Sequence, residues 1–218
     1  MKKLEEIYKS TQSDLEFSQQ YVGSLIELLG SLDHKAIVRI IQTLDEARAA
    51  KRRIYFAGNG GSASTCGHFC NDLGAGAKRH GGGEFRVIDL TSNMAAVTAL
   101  ANDCGYENVF LGQIEGVIGP KDVLVVISAS GNSPNLVKAV EYAKKQGTKI
   151  IGLLGFDGGK LQQLCDIPLV IKTPAGQYGP VEDIHLVMNH LISTYLCLKQ
   201  AEDPNGRSLF RQNQGSPS

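Results

Sequence analysis

The sequence predicts an α/β fold: an open, five-stranded parallel sheet with helices on both faces. Short β-branched runs alternate with helical stretches from residue 52 onward, the order expected of βα units. The runs are nearly continuously apolar rather than alternating, as in strands buried on both faces. Two strand-to-helix junctions are rich in Gly, Ser and Asn, at the sheet edge where parallel folds bind ligands.

Taken in order, residues 3–30 read as one helix, with Leu4, Ile7, Tyr8, Leu15, Phe17, Val22, Ile26 and Leu29 recurring at three-to-four spacing up to Gly30. Ser31-Leu32-Asp33 opens a second helix that carries Ile37, Ile40, Ile41 and Leu44 on one face. Strands are predicted at 53–57, 85–89, 123–128, 149–154 and 167–171. Helices are predicted at 62–77, 93–103, 107–117, 134–146, 158–164 and 180–199. The expected organisation is an N-terminal helical segment over 1–51, an α/β domain over 52–200 and a frayed Gln/Ser/Gly tail over 201–218.

Composition narrows the function classes. Lys plus Arg and Asp plus Glu balance at 22 each, so no basic surplus points to nucleic acid. The longest unbroken apolar run, Val123 to Ile127, is far short of a membrane span. The opening Met-Lys-Lys-Leu-Glu-Glu lacks an apolar signal region, and the expected location is the cytoplasm. The 5 cysteines include no C-x-x-C pair and are expected to be reduced core residues.

The first junction reads Ala57-Gly58-Asn59-Gly60-Gly61-Ser62-Ala63-Ser64, the second Ser128-Ala129-Ser130-Gly131-Asn132-Ser133-Pro134. Small residues let the backbone approach an anion, and hydroxyls and free amides at a helix start donate to it. Gly and Ser also make turns and caps, but both loops follow apolar strands and the second packs three serines into six residues. Pro134 suits the first turn of a helix. Neither loop carries the Gly-Lys-Ser/Thr of a Walker motif or matches G-x-G-x-x-G, and Asp89 alone does not argue for a dinucleotide.

A third group is His68 and Asp72, four apart on one helical face. A fourth is Glu182, His185 and His190 on the last helix. Lone histidines are ordinarily hydrogen-bonded core or surface residues; imidazoles and carboxylates beside an anion loop are also what a divalent transition metal accepts.

Gly58-Asn59-Gly60-Gly61-Ser62, Ser130-Gly131-Asn132-Ser133, Asp157-Gly158-Gly159-Lys160 and the closing Glu-x-x-His-x-x-x-x-His resemble the phosphoheptose isomerases of the sugar-isomerase (SIS) fold, over residues 3 to 200. The resemblance implies a flavodoxin-like three-layer sandwich with two additional N-terminal helices that pack between subunits of a homotetramer with interfacial active sites. It implies a phosphosugar ligand and an aldose–ketose isomerase acting on sedoheptulose 7-phosphate through an enediol. By the same resemblance Ser128, Ala129, Ser130, Asn132 and Ser133 match the phosphate loop, and Asn59, Gly60, Gly61 and Ser62 the loop that contacts the sugar. Asp103 and Glu182 match further substrate contacts. His68, Asp72, Glu182 and His190 match the positions that bind zinc, one ion per subunit, with Asp72 or Glu182 as base and His190 as acid. The family usually has Glu at position 72, Gln at 182, Thr at 129 and Asp at 179, where this chain has Asp72, Glu182, Ala129 and Gly179. A related branch that regulates replication initiation lacks the metal and catalytic residues, and His68 and His190 argue against it. Two alternatives stay open: a non-catalytic module that binds a phosphosugar or a protein, and an isomerase of another sugar phosphate.

Overall fold

The computed structural model describes residues 4–79 and 83–201. Five strands, β1 (Arg53–Gly58), β2 (Arg86–Asp89), β3 (Val123–Ser128), β4 (Lys149–Gly155) and β5 (Ile167–Ile171), form one sheet in the order β2-β1-β3-β4-β5. Every pairing is parallel, with Ile54 opposite both Val87 and Val123, Val125 opposite Ile151, and Ile151 opposite Ile167. Pro168 is accommodated because β5 is an edge strand, where a missing N–H breaks no ladder. The ends of the five predicted strands agree with these to within a residue.

Alternate strand residues enter two separate cores. Ile54, Phe56, Val125, Ile127, Ile151 and Leu153 face one side. There they meet α3 (His34–Ala49), α4 (Gly61–Cys70) and α10 (Tyr178–Ala201), with Phe56 stacked on Phe69 at 5.2 Å. Tyr55, Leu124, Val126, Ile150 and Leu154 face the other side, against residues of α7 (Leu111–Ile114), α8 (Pro134–Lys145) and α9 (Gly159–Leu164). Burial on both faces explains the unbroken apolar runs. No helix among the described residues is long and apolar enough to cross a membrane.

Three predicted helices need correction. Residues 3–30 are not one helix but α1 (Leu4–Ser10) and α2 (Asp14–Gly30), so three helices rather than two precede β1. Ser13, with extended φ −153°, accepts the Glu16 N–H, and Glu16 accepts the Gln12 N–H at 2.8 Å. This Ser-x-x-Glu start signal outweighs the apolar periodicity running across it. The helix predicted at 107–117 shrinks to a 3-10 turn (Tyr106–Asn108) and α7, which gives way before Gly116 at φ 73°. The helix predicted at 62–77 widens after Cys70 into a π-helix, Asn71–Gly76, followed by α5 (Ala77–Arg79). α6 (Met94–Cys104) matches its prediction. Most of the tail predicted over 201–218 lies outside the described residues.

Candidate active site

The carboxyl ends of β1 and β3 feed α4 and α8, so both Gly/Ser/Asn loops stand at one edge of the sheet. Between them lies a hollow of about 140 Å³ lined by Asn59, Ser62, Ile127, Ser128, Ala129, Ser130, Ser133, Tyr178 and Glu182. The amino-terminal ends of α4 and α8 carry the partial positive charge of unpaired N–H groups there.

The serine loop is held from within. Ser128 Oγ accepts the Gly131 N–H at 3.1 Å and Ser130 Oγ accepts the Asn132 N–H at 3.3 Å, which leaves each hydroxyl hydrogen free to donate. Ser133 makes no side-chain cap to α8. Asn132 turns away from the hollow: its Nδ2 donates to the Ser130 carbonyl and its Oδ1 accepts the Lys160 N–H. Leu161 N–H donates to the Gly131 carbonyl, so the loops after β3 and β4 brace each other.

Asn59 is locked by neighbours that sequence reasoning passed over. It exchanges amide hydrogen bonds with buried Asn135 at 3.1 and 2.9 Å, and Tyr106 Oη donates to its Oδ1 at 2.9 Å. Tyr178 was also missed; its ring packs edge-on against Phe156 at 5.1 Å, and Phe156 sits at φ 54°. The signal for Asn135 was its place beside Pro134 in the loop's own motif; nothing local marks Tyr178.

Glu182, on the second turn of α10, reaches back over the start of α4. A side chain at Gly61 would run into its carboxylate, so glycine at 61 is what permits the approach. Gly60 adopts φ 55° at the same turn. Asp103 lies exposed at the end of α6, where it accepts the Asn102 amide at 2.8 Å, outside the residues that line the hollow.

Further along the α4–α10 seam, single ligand atoms of His68, Asp72 and His190 lie within 4.8 Å of one another. His68 Nε2 is 3.3 Å from His190 Nε2 and 3.4 Å from Asp72 Oδ2. Two imidazole nitrogens aimed at each other can share only one proton, whereas a divalent cation satisfies both together with the carboxylate. The donor set therefore fits zinc. Glu182 is not part of this cluster; it belongs to the hollow.

His185 belongs to neither group. It is fully buried, with Nε2 at 3.2 Å from the Leu154 carbonyl, and burial pushes its pKa down to about 4. Between pH 6.5 and pH 4 the unfolded chain binds a proton that the folded chain refuses, so stability falls as pH falls through this window. The loss is expected to reach about 3 kcal/mol by pH 4. Denaturant melts at pH 7 and pH 4.5 check it: a His185→Leu protein with the same pH slope as the parent would remove His185 as the cause. All five cysteines are free, and burial pushes the Cys66, Cys70 and Cys165 thiols up, as inert core residues require; Cys104 departs from the expected core placement and is exposed at the end of α6.

Comparisons with known proteins agree with this geometry. The SIS domain family model matches residues 19–155. The phosphoheptose isomerase of Helicobacter pylori is 38% identical over 167 residues, 77% of this chain and 83% of its own. That of Aliarcobacter butzleri is 37% identical over 174 residues, 80% of this chain and 88% of its own. The solved phosphoheptose isomerase of Neisseria gonorrhoeae superposes with a TM-score of 0.75 at 26% identity, covering 84% of this chain and 98% of that one. An anion-ready hollow beside a carboxylate, a histidine pair on the adjoining seam and these relatives together decide between enzyme and binding module: the chain belongs to the phosphoheptose isomerase family of SIS-domain proteins and is a sugar-phosphate isomerase.

Proposed function

We propose that the enzyme converts sedoheptulose 7-phosphate to D-glycero-D-manno-heptose 7-phosphate, in the cytoplasm, with one zinc per subunit. The observation that carries this reading is the shared frame of the two groups: α4, the π-helix that continues it and α10 supply both the Glu182 wall of the phosphate-ready hollow and the His68/Asp72/His190 cluster. Ser128, Ser130 and Ser133 take the phosphate, helped by the loop backbone at Gly131 and Asn132. Asn59 and Ser62 hold the sugar hydroxyls, and Asp103 contributes from outside the hollow.

Glu182 is the base. It faces the hollow, whereas Asp72 already accepts amide hydrogen bonds from Asn71 and Asn189. Glu182 takes a proton from C1 and returns it to C2, which moves the carbonyl from C2 to C1. His190 is the acid candidate that gives a proton to the oxygen on C2 and takes one back from the oxygen on C1. His68, Asp72 and His190 would hold a zinc ion whose chemistry is to polarise the carbonyl and stabilise negative charge on its oxygen, while Glu182, outside that cluster, stays free to act as the base. A histidine held through Nε2 carries no proton at that atom, so His190 serves as the acid only while that nitrogen is free of the cation, and Glu182 carries the proton from C1 to C2 in either case.

Incubation with a panel of ketose phosphates, followed by NMR of aldose formation, tests the substrate. Turnover of a pentulose or hexulose phosphate in preference to the heptulose would overturn it. In the same assay Ser130→Ala is expected to weaken substrate binding by about 1.5–3 kcal/mol, the range for a hydrogen bond to a charged group. Unchanged binding in the alanine variants of all three serines would remove this loop as the phosphate site.

We also propose a homotetramer with active sites at subunit interfaces. Supporting it, Tyr8 (71%), Leu15 (68%) and Ile26 (64%) are exposed on α1 and α2, and Leu191, Tyr195 and Leu198 form an exposed apolar stripe on α10 beside His190. A monomer in sedimentation at micromolar concentration would end this idea.

A further inference from the structure

We infer that Asn189, assisted by Asn71, is a positioning residue that aims the Asp72 carboxylate at the His68/His190 pair and so sets how tightly a cation is held there. The inference rests on the metal reading above and deepens it.

Asp72 stands on the π-helix, where the Ala77 N–H reaches back to the Asp72 carbonyl across the widened turn. Each of its carboxylate oxygens has one amide donor. Asn71 Nδ2 donates to Oδ1 at 3.1 Å and Asn189 Nδ2 donates to Oδ2 at 3.0 Å. Oδ2 is the oxygen that faces His68 Nε2. The terminal torsion of an aspartate is otherwise broad and nearly two-fold, so two donors on opposite oxygens fix what the side chain alone leaves loose. Both donors are neutral amides. They orient the carboxylate without cancelling its charge, which remains available to a cation.

The surroundings of Asn189 argue that stability is not its purpose. Its side chain is fully buried, its Nδ2 is committed to Asp72, and its Oδ1 has no partner among the described residues. A buried acceptor left bare is costly, and buried amides are normally satisfied at both ends. Turning the amide over brings no relief, because Oδ1 would then face a carboxylate oxygen. His185, one turn earlier on α10, offers no donor either. Its Nε2 proton goes to the Leu154 carbonyl, and its Nδ1 is itself buried without a partner among the described residues. An apolar side chain of similar size would fill the α4–α10 seam without that cost. What an apolar residue would not do is hold Asp72 Oδ2.

Two variants test this. Asn189→Leu keeps the volume and removes the donor; Asn71→Ala removes the donor to Oδ1 at an exposed position. Purified protein is loaded with Co(II), its visible absorption spectrum is recorded, and Co(II) and zinc affinities are measured by competition with a chromogenic chelator. Melting is followed with and without metal. Asn189→Leu is expected to lose roughly 10- to 100-fold in metal affinity, the usual range for a partner of a metal ligand. It should also show an altered Co(II) spectrum and a smaller metal-induced rise in Tm, with metal-free melting no lower than the parent's. Asn71→Ala is expected to shift the same way. Affinity and spectrum unchanged in Asn189→Leu, or in Asn71→Ala should Asn189→Leu not fold, overturn the inference and leave the metal reading intact. A parent protein that takes up neither cation overturns both.

Discussion

Replacing His190 with alanine is expected to lower kcat by roughly 100- to 10,000-fold, the range for loss of a positioned proton-transfer group. His190 is exposed on α10, so the variant keeps its core and should melt close to the parent. Its Nε2 stands 3.3 Å from His68 Nε2, and its removal leaves the cluster with one imidazole and one carboxylate. Zinc content should fall with activity. Stripping the parent with a chelator should reproduce the loss, and returning zinc should restore the parent but not the variant. Aldose formation followed by NMR and metal analysis of the same samples decide the matter. If activity survives stripping, and His68→Ala and His190→Ala bind as much zinc as the parent, the cluster is not a metal site.

Gly131→Ala is expected to have the largest effect on the fold. Gly131 adopts φ 63°, a conformation that costs a residue with a Cβ about 1–2 kcal/mol. The added methyl would also run into the backbone carbonyl of Gly158, which cannot swing aside as a side chain does. Overpacking of that kind costs about 1–3 kcal/mol. The combined loss of about 2–5 kcal/mol corresponds to a fall in Tm of roughly 5–15 °C for a domain of this size. Because the Gly131 carbonyl accepts the Leu161 N–H, the strain would also pull the serine loop away from its brace on α9. Substrate binding should therefore weaken more than the change in melting alone suggests. Differential scanning calorimetry and isothermal titration with substrate measure the two effects. A Tm within 2 °C of the parent would mean that the β3 and β4 loops do not pack as described.

The strands, the two loops and the residue types of the site were legible because each is a local property. An apolar run such as Val123–Ile127 reports burial on both faces wherever it sits in the sheet. A Gly/Ser/Asn junction after such a run reports a turn that leaves N–H groups open. His68 and Asp72 meet because four residues bring them to one helical face. The break at Ser13 was local as well, since Ser13 and Glu16 spell a helix start, yet the apolar spacing across it masked the signal.

Other features depended on how distant segments pack. Spacing along α10 sets Glu182 and His190 about 80° apart at 3.6 residues per turn and leaves open whether they converge. Docking of α10 on α4 decided it: Glu182 turns to Gly61 and the hollow, and His190 turns to His68. The role of Asn189 depends on a partner 117 residues away, and that of Asn135 on one 76 residues away. Periodicity encodes which face of an element is buried, and to that extent the chain declares its architecture on its own. Where a side chain's last atoms go is set by the neighbour that the fold brings against it, and that neighbour is absent from any local window of sequence.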